Sequence, residues 1–334
     1  MRAWWVEQPG PIDGNPLRFG ERGDPVPGPG EILVRVSVCG VCRTDLHLAE
    51  GDLQPRQPST VPGHEVVGRV VALGPGANRF AVGDRVGVAW LRSTCGACRF
   101  CTSDRENLCV SPSFTGWDAD GGYADLTICP EAYAYLLPDQ FTDAEAAPLL
   151  CAGIIGYRAL RRTALPPGGR LGIYGFGGSA HLAAQVALFE GATVHVLTRS
   201  ERAQQLAIEL GAASVGDAYD EPPEPLDAAI LFAPAGALVP VALRALDRGG
   251  VLSIAGIHVS DIPTLVYATD LFQERELRSV TANTRRDGEE FLALAALIPI
   301  RPTVTMYPLE RADAALSDLA HDRLIGAAVL DVGT

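Results

Sequence analysis

The stretch Leu171-Gly-Ile-Tyr-Gly-Phe-Gly-Gly-Ser-Ala180 decides the fold of the second half of the chain. A short apolar run, typical of a buried strand, leads into a Gly-x-Gly-x-x-Ala loop, and a helical pattern follows. Glycines permit a tight turn and close approach of a pyrophosphate, and the helix start offers unpaired N–H groups. The stretch therefore predicts a dinucleotide site, with a ligand-free glycine turn as the alternative. The candidate cofactor-binding residues of this loop are Gly175, Gly177, Gly178, Ser179 and Ala180.

The segments after this loop repeat the same alternation of strand and helix. Apolar runs at 193–197, 228–232, 250–254 and 277–280 are separated by helical patterns. Such alternation is typical of an α/β fold with a parallel sheet covered by helices on both faces. We therefore predict a doubly wound Rossmann domain over residues 153–285.

The first half of the chain has a different sequence pattern. Short β-type runs, such as 31–38, 66–73 and 84–90, are separated by Pro-Gly and Gly-Asp turns. This pattern predicts a twisted, mostly antiparallel β domain with long functional loops. At 334 residues the chain is long enough for two domains. We expect the tail to rejoin the first domain, which then comprises residues 1–152 and 286–334.

The end of the second predicted strand bears on the choice of cofactor. An acidic residue there would hold the adenosine ribose and favour NAD. The segment Leu197-Thr-Arg-Ser200 has no carboxylate, and Arg199 is suited to neutralise a 2′-phosphate with the help of Ser200 and Arg202. NADP(H) is therefore predicted over NAD(H). The alternative is that Arg199 stacks on adenine or faces solvent.

Cysteine spacing indicates two kinds of metal site. Cys95, Cys98, Cys101 and Cys109 lie in one short loop, and two-residue gaps let thiolates converge on a tetrahedral Zn²⁺. We predict a structural zinc there. A second, incomplete set of potential ligands lies upstream, at Cys42, His64 and Glu65. An incompletely coordinated metal is typical of catalysis.

Composition excludes several other functions. The formal charge of −13 disfavours a nucleic-acid partner, and the absence of lysine rules out Schiff-base chemistry. The N-terminus has no signal-peptide pattern, and the longest uncharged run, 171–189, is better interpreted as strand, loop and helix than as a membrane span. We expect a cytoplasmic protein with reduced thiols and no membrane partner.

The upstream set of potential ligands, Cys42, His64 and Glu65, indicates one protein family when the neighbouring residues are included. Gly63-His-Glu-Val-Val-Gly68, followed by Gly74 and Ala77, resembles the signature of zinc-containing alcohol dehydrogenases in the medium-chain dehydrogenase/reductase superfamily. The segment 39–47 resembles the same family. So do the cysteine loop, Cys151-Ala-Gly and the Gly175 loop, in the family's order. The resemblance is to bacterial members near the cinnamyl alcohol dehydrogenases. It implies a GroES-like catalytic domain beside the Rossmann domain.

The resemblance also implies a ligand set. It assigns a catalytic Zn²⁺ to Cys42, His64 and Cys151, with Glu65 close enough to exchange with bound water, and thus two zinc ions per chain. Asp45 matches the carboxylate that orients a ligand imidazole. The alternative for Cys151 is a buried small apolar residue, which is the usual role of a lone cysteine.

Further roles are implied in the same way. Thr44 would hydrogen-bond the reacting alkoxide, and His47 would end a proton relay through the nicotinamide ribose. Two positions depart from the family. Ile155 stands where many relatives have Thr beside the nicotinamide, and Ala327 stands where many have an Arg that contacts pyrophosphate.

These observations predict a zinc-dependent oxidoreductase. It would transfer hydride between NADP(H) and a primary or secondary alcohol, aldehyde or ketone, as a homo-oligomer (tetramer or dimer). Trp90 and Trp117 would line the substrate channel or simply pack in the core. Two alternatives stay open: a catalytically silent zinc-stabilised binding protein, and a zinc-independent quinone reductase of the same superfamily.

Overall fold

The computed structural model describes residues 1–324 and 326–333, which divide into two units. The first comprises Met1–Cys151, Ala282–Ala296 and the segment that begins at Arg301. The second comprises Ala152–Thr281 and Leu297–Ile300. The sequence-based division placed the boundaries at 152/153 and 285/286. It did not predict that residues 297–300 return to the second unit.

The strands carry labels in chain order. They are β1 Arg2–Val6, β2 Leu17–Glu21, β3 Glu31–Val41, β4 Val66–Leu73, β5 Arg85–Val88, β6 Leu91–Ser93, β7 Ser113–Phe114, β8 Leu126–Pro130, β9 Ala134–Leu136, β10 Arg170–Tyr174, β11 Thr193–Leu197, β12 Ser214–Gly216, β13 Leu226–Leu231, β14 Leu246–Ile254, β15 Glu276–Ser279, β16 Val304–Pro308 and β17 Ala327–Asp331.

The α-helices are labelled in the same way. They are α1 Arg43–Glu50, α2 Asp143–Ala146, α3 Ala152–Thr163, α4 Gly178–Phe189, α5 Glu201–Glu209, α6 Leu238–Ala245, α7 Tyr267–Asp270, α8 Arg285–Ala295 and α9 Ala312–Ala320. Among the described residues, no helix is long and apolar enough to cross a membrane.

The second unit contains a parallel sheet in the order β12-β11-β10-β13-β14-β15. The central strands β10 and β13 are almost wholly buried, as expected for strands covered on both faces. The register pairs Tyr174 with Leu197, so β10 and β11 end side by side. The N–H of Gly175 donates to the carbonyl of Leu197 over 2.9 Å. The glycine loop and the segment that carries Arg199 therefore leave the same edge of the sheet.

Close packing of helices supports that loop. A Cβ on Gly156 of α3 would lie only 2.7 Å from the carbonyl oxygen of Ser179 in α4. Any larger residue at position 156 would push the first turn of α4 away from α3. The glycine thus permits the two helices to meet where the glycine-rich loop ends.

The first unit is built on a mainly antiparallel sheet in the order β16-β17-β3-β4-β5-β9, with β8 also paired to β3. Only the pairing of β16 with β17 is parallel within this described sheet. Residues of β3 alternate between buried and accessible positions, as in a strand with one face on a core. The last strand, β17, pairs with β3, so the tail rejoins the N-terminal region.

The pairing of β3 with β4 positions a functional region. Cys39 near the end of β3 stands opposite Val66 at the start of β4. Cys42 follows β3 directly, and His64 and Glu65 directly precede β4. The antiparallel register therefore brings these three side chains to one end of the sheet. The predicted α/β fold class, a parallel Rossmann sheet plus a mostly antiparallel β domain, is confirmed.

Candidate active site and metal centres

Four potential metal ligands converge at the end of β3. Cys42, His64, Glu65 and Cys151 form the core cluster, in which the ligand atoms all lie within 4.8 Å of one another. Cys151 reaches the cluster from the turn that follows Ala147–Leu150, and its Sγ lies 3.9 Å from Sγ of Cys42. His64 and Glu65 are almost fully buried. Residues from three separate segments thus present a mixed sulfur, nitrogen and oxygen donor set.

Asp45 holds this arrangement together. It occupies the third position of α1, where its Oδ2 accepts the backbone N–H of Cys42 over 2.9 Å. Its Oδ1 accepts from the backbone N–H of Gly63 over 3.0 Å and lies 3.2 Å from Nδ1 of His64. The hydroxyl of Tyr123 donates to Oδ2 over 3.3 Å. One buried carboxylate therefore fixes both flanking backbones and leaves Nε2 of His64 as the ligand atom.

Glu65 fits because Gly40 lies opposite. A Cβ at position 40 would stand 1.9 Å from Oε2 of Glu65, so only glycine leaves room for the carboxylate. Burial raises the pKa of Glu65 well above its ordinary value, and the nearby Cys42 raises it further. A nearby cation, such as a metal ion, would favour the charged form of this buried carboxyl.

The donor chemistry tests whether a metal belongs here. The hydrogen bond from Cys151 lowers the pKa of Cys42 well below its usual range, and the same contact raises the pKa of Cys151. A tetrahedral ion with bonds of about 2.3 Å to sulfur separates two thiolates by about 3.8 Å. The observed 3.9 Å between Cys42 and Cys151 agrees with that separation. The core cluster therefore fits Zn²⁺.

Thr44 and His47 lie in α1 next to the cluster. Oγ1 of Thr44 is 3.8 Å from Sγ of Cys42. Nδ1 of His47 is 3.0 Å from Oδ2 of Asp52. Because the two residues are three positions apart on one helix, they share a face of it.

Three aromatic rings stand beside His64 and form the aromatic stack, Trp90, Phe114 and Trp117. Trp90 meets the His64 ring edge-on at 5.0 Å and stacks on Phe114 at 4.8 Å. Trp117 stacks on Phe114 at 5.7 Å, and the guanidinium of Arg56 covers its ring at 3.8 Å. Sequence reasoning missed Phe114 and Arg56. The only available signal was the i, i+3 spacing of Phe114 and Trp117.

The four cysteines at 95, 98, 101 and 109 form the loop cluster, also with sulfurs within 4.8 Å of one another. Sγ of Cys101 lies 3.5 Å from that of Cys98 and 3.9 Å from that of Cys95. Backbone N–H groups donate to sulfur, as from Cys98 to Cys95 over 3.3 Å. Such hydrogen bonds lower the pKa of Cys98 to about 6, whereas burial raises that of Cys101 to about 11. The set fits a tetrahedral thiolate site.

The nucleotide loop has the predicted local geometry. Gly175 has φ +82°, and a Cβ there would lie 2.8 Å from the backbone nitrogen of Ala233. Gly177 is the N-cap of α4, with no side-chain cap among the described residues. Arg199 is exposed after β11. The hydroxyl of Ser200 caps α5 by accepting the N–H of Ala203 over 3.3 Å.

Two further predicted cofactor residues lie in this unit. Arg202 is an exposed residue of the first turn of α5. Ile155 is half-buried in the first turn of α3. Within the described part of the chain, neither has a contact that assigns it a role.

Comparison with known proteins decides the family. Residues 28–139 match the alcohol dehydrogenase GroES-like domain. The chain is 59% identical over 335 residues to the probable alcohol dehydrogenase AdhA of Mycobacterium tuberculosis (strain CDC 1551 / Oshkosh), which covers 99% of this chain and 97% of that protein. The chain belongs to the zinc-type alcohol dehydrogenases of the medium-chain dehydrogenase/reductase superfamily.

Solved structures of similar alcohol dehydrogenases cover nearly the whole chain. Cinnamyl alcohol dehydrogenase SbCAD4 of Sorghum bicolor matches with a TM-score of 0.89 at 26% identity, over 99% of this chain and 98% of that one. The CAD of Helicobacter pylori, solved with NADP(H), matches with a TM-score of 0.86 at 25% identity, over 99% of both chains. The predicted family and enzyme class are confirmed: this alcohol dehydrogenase is an NAD(P)-dependent oxidoreductase. Neither alternative is favoured.

Proposed function

We propose that this alcohol dehydrogenase interconverts alcohols and aldehydes or ketones with NADP(H), using a catalytic zinc in the core cluster and a structural zinc in the loop cluster. The observation that carries the proposal is the convergence of Cys42, His64 and Cys151, two thiols and an imidazole, around one position. We assign residues 1–152 and 286–334 to catalysis and 153–285 to nucleotide binding.

Cys42, His64 and Cys151 would hold the catalytic ion, and Glu65 is close enough to replace another ligand transiently. A zinc ion in such a site acts as a Lewis acid that polarises the oxygen of an alcohol or carbonyl. The protein contributes orientation. Asp45 accepts the Nδ1 proton of His64, which keeps the imidazole in the tautomer whose Nε2 can ligate.

Proton movement is the second contribution of the protein. The Thr44 hydroxyl would hydrogen-bond the reacting alkoxide, and the released proton would pass through the nicotinamide ribose hydroxyls to His47. His47 lies on the same face of α1 and is paired with Asp52, and its half-buried imidazole can carry that proton toward solvent.

The cofactor proposal rests on the glycine loop and the residues after β11. The N–H groups at the start of α4 would bind the pyrophosphate. Arg199, with Ser200 and Arg202, would bind a 2′-phosphate, and the similar Helicobacter pylori CAD was solved with NADP(H). Arg199→Asp should lower the preference for NADPH over NADH by at least about tenfold. An unchanged preference in cofactor titrations would reject the role of Arg199.

The substrate class follows from the aromatic stack. Trp90 contacts the ring of His64, so a flat hydrophobic surface lies beside a proposed metal ligand. Such a surface favours aldehydes and primary alcohols with an aryl or apolar tail. The variant Trp117→Ala tests this substrate class. It should raise KM for an aryl aldehyde more than KM for a short aliphatic aldehyde.

We also propose that the chain forms a cytoplasmic homo-oligomer, a tetramer or dimer. Support comes from the second unit, where several large apolar side chains between positions 257 and 277 are exposed, among them Tyr267 at 66% and Phe272 at 59%. An apolar patch of this kind is typical of a protein interface. Sedimentation of a monomer at micromolar concentration would contradict the oligomer.

The decisive experiment is a kinetic screen of aldehydes and alcohols with both nicotinamide cofactors, combined with metal analysis. We expect turnover with aryl aldehydes and NADPH, and about two zinc ions per chain. Protein that binds zinc and never oxidises cofactor would support the silent binding protein. Quinone reduction without zinc would support the other alternative.

A further inference from the structure

The helix after the glycine loop contains a histidine that the proposed mechanism does not use. His181 lies in the first turn of α4 and is only 3% exposed. Its Nδ1 is 3.2 Å from the carbonyl oxygen of Gly177, the N-cap residue of that helix. A carbonyl only accepts, so Nδ1 must carry the proton and Nε2 must be an acceptor.

The same carbonyl receives a second hydrogen bond. The backbone N–H of His181 donates to it over 3.1 Å, as the ordinary helical bond of the first turn. The oxygen of Gly177 is thus held by two donors of one residue. Among the described residues, nothing lies within 4 Å of the position that a Cβ on Gly177 would occupy, so the loop is open on that side of the peptide. The orientation of this peptide depends on hydrogen bonds.

That orientation controls an N–H group of the loop. In a trans peptide the N–H of residue i+1 points opposite to the carbonyl of residue i. When the Gly177 carbonyl is drawn into the helix, the N–H of Gly178 is turned away from the helix. This is the direction from which a helix N-terminus binds an anion.

The other nitrogen of His181 argues against a purely structural role. Across residues 1–324 and 326–333, Nε2 has no hydrogen-bond partner although it is buried. A buried acceptor without a partner is destabilising relative to an apolar group. Burial also lowers the pKa of His181, so the imidazole is neutral near pH 7. An apolar residue of similar size would suit the folding of this helix at least as well.

We propose that His181 is a positioning residue for the cofactor, whose Nδ1–H aims the Gly177–Gly178 peptide at the pyrophosphate of the bound dinucleotide. This inference rests on the proposed nucleotide role of the Gly175 loop. It predicts that an apolar residue in place of His181 weakens cofactor binding without lowering folding stability.

Three variants of the zinc-loaded enzyme test the inference. His181→Leu removes the donor and retains the bulk. His181→Asn keeps an N–H donor at the position of Nδ1. The matched control, His195→Leu, removes another buried histidine of the same unit, whose Nδ1 lies 2.8 Å from Oγ of Ser214. For each variant, the Kd for NADPH and NADH, the KM for cofactor, kcat and the thermal midpoint are measured.

We expect His181→Leu to weaken both cofactors by about three- to tenfold, the effect of one hydrogen bond. The KM for cofactor should rise while kcat stays within about twofold. The thermal midpoint should be unchanged or higher. His181→Asn should restore most of the affinity, and His195→Leu should lower the midpoint without changing Kd.

The inference is overturned if His181→Leu binds both cofactors as tightly as the wild type. It is also overturned if weaker binding accompanies a lower midpoint and His181→Asn gives no rescue. Failure of the wild type to bind either cofactor would instead refute the proposed function of the loop.

Discussion

The core cluster and the loop cluster belong to the same unit of the chain but are built in opposite ways. The loop cluster takes all its ligands from residues 95–109, and backbone N–H groups of that segment donate to its sulfurs. The core cluster takes its potential ligands from three distant segments, and the buried carboxylate of Asp45 contacts two of them, at Cys42 and His64. The loop cluster is organised by its local backbone, and the core cluster by the packing of a sheet and a helix.

The contrast in burial follows from this construction. Cys95 is exposed, and Cys98 and Cys101 are partly exposed, because a short loop cannot enclose its own side chains. His64 and Glu65 are buried because the strands around them are core strands. Electrostatic interactions are stronger in the buried core cluster, which suits it to catalysis. The more exposed loop cluster is suited to stabilising its loop.

The largest expected effect is a loss of catalytic activity when a residue of the core cluster, and not of the loop cluster, is replaced. Cys42→Ser should lower kcat on the order of a thousandfold, because a catalytic ligand is lost, and should reduce the metal content by one ion per chain. The fold and the loop-cluster metal should remain, as checked by circular dichroism and metal analysis. A fully active Cys42→Ser enzyme would refute the proposed ligand set.

The reciprocal change should act on stability. Cys98→Ser should release the loop-cluster metal and lower the thermal midpoint by about 5–10 °C, since metal binding contributes to folding. The core cluster should keep its ion, and kcat measured below the midpoint should change by less than about threefold. Loss of both ions would show that the clusters are not independent.

A smaller effect is expected from the carboxylate that orients His64. Asp45→Asn should lower zinc affinity or kcat about 10- to 100-fold, measured by competition with a chelator and by steady-state kinetics. Asp104→Asn is the matched control in the loop-cluster segment, because Asp104 has φ +55°, which Asn tolerates. Equal effects of the two substitutions would argue against a specific role for Asp45.

The smallest effect concerns the support of the loop cluster. Arg285 donates to both carboxylate oxygens of Glu106 over 2.7–3.1 Å, just ahead of Cys109. Burial by itself raises the pKa of Glu106, but the hydrogen bonds from Arg285 outweigh it and leave the pKa below 4.5. Glu106→Gln should therefore cost about 1 kcal/mol of unfolding free energy at neutral pH.

The pH dependence of this last effect has a defined sign. A carboxyl with a lowered folded-state pKa stabilises the protein above its unfolded pKa and loses that contribution as pH falls through the folded value. The difference between wild type and Glu106→Gln should thus shrink on acidification below about pH 4.5. Denaturant titrations at several pH values would measure it, and a difference that grows in acid would contradict the assignment.

Sequence patterns predicted the features that are local in the chain. The cysteine spacing indicated the loop cluster, and the apolar run with its glycines indicated the turn at Gly175, where φ is +82°. The β-α alternation indicated the parallel sheet. Each of these depends on neighbours within about a dozen residues, where backbone geometry limits the possible structures.

Other features had no local signal. Cys42 and Cys151 are 109 residues apart, and only family resemblance joined them in advance. The aromatic stack includes Phe114, which spacing alone did not mark as functional. The resemblance had linked Asp45 to a ligand imidazole, but no local pattern indicated its further contacts with the backbone N–H groups of Cys42 and Gly63 and with the hydroxyl of Tyr123.

The amino-acid sequence by itself thus determined the fold class, the loop cluster, the glycine turn and, through its resemblance, the enzyme family. Tertiary structure alone decided several other contacts of buried polar groups: Asp45 with the Tyr123 hydroxyl, Glu65 with the space beside Gly40, and His181 with the Gly177 carbonyl. The reason is physical. Local patterns act through short stretches of backbone, but a buried donor finds its partner only after strand register and helix packing have set the distance between them.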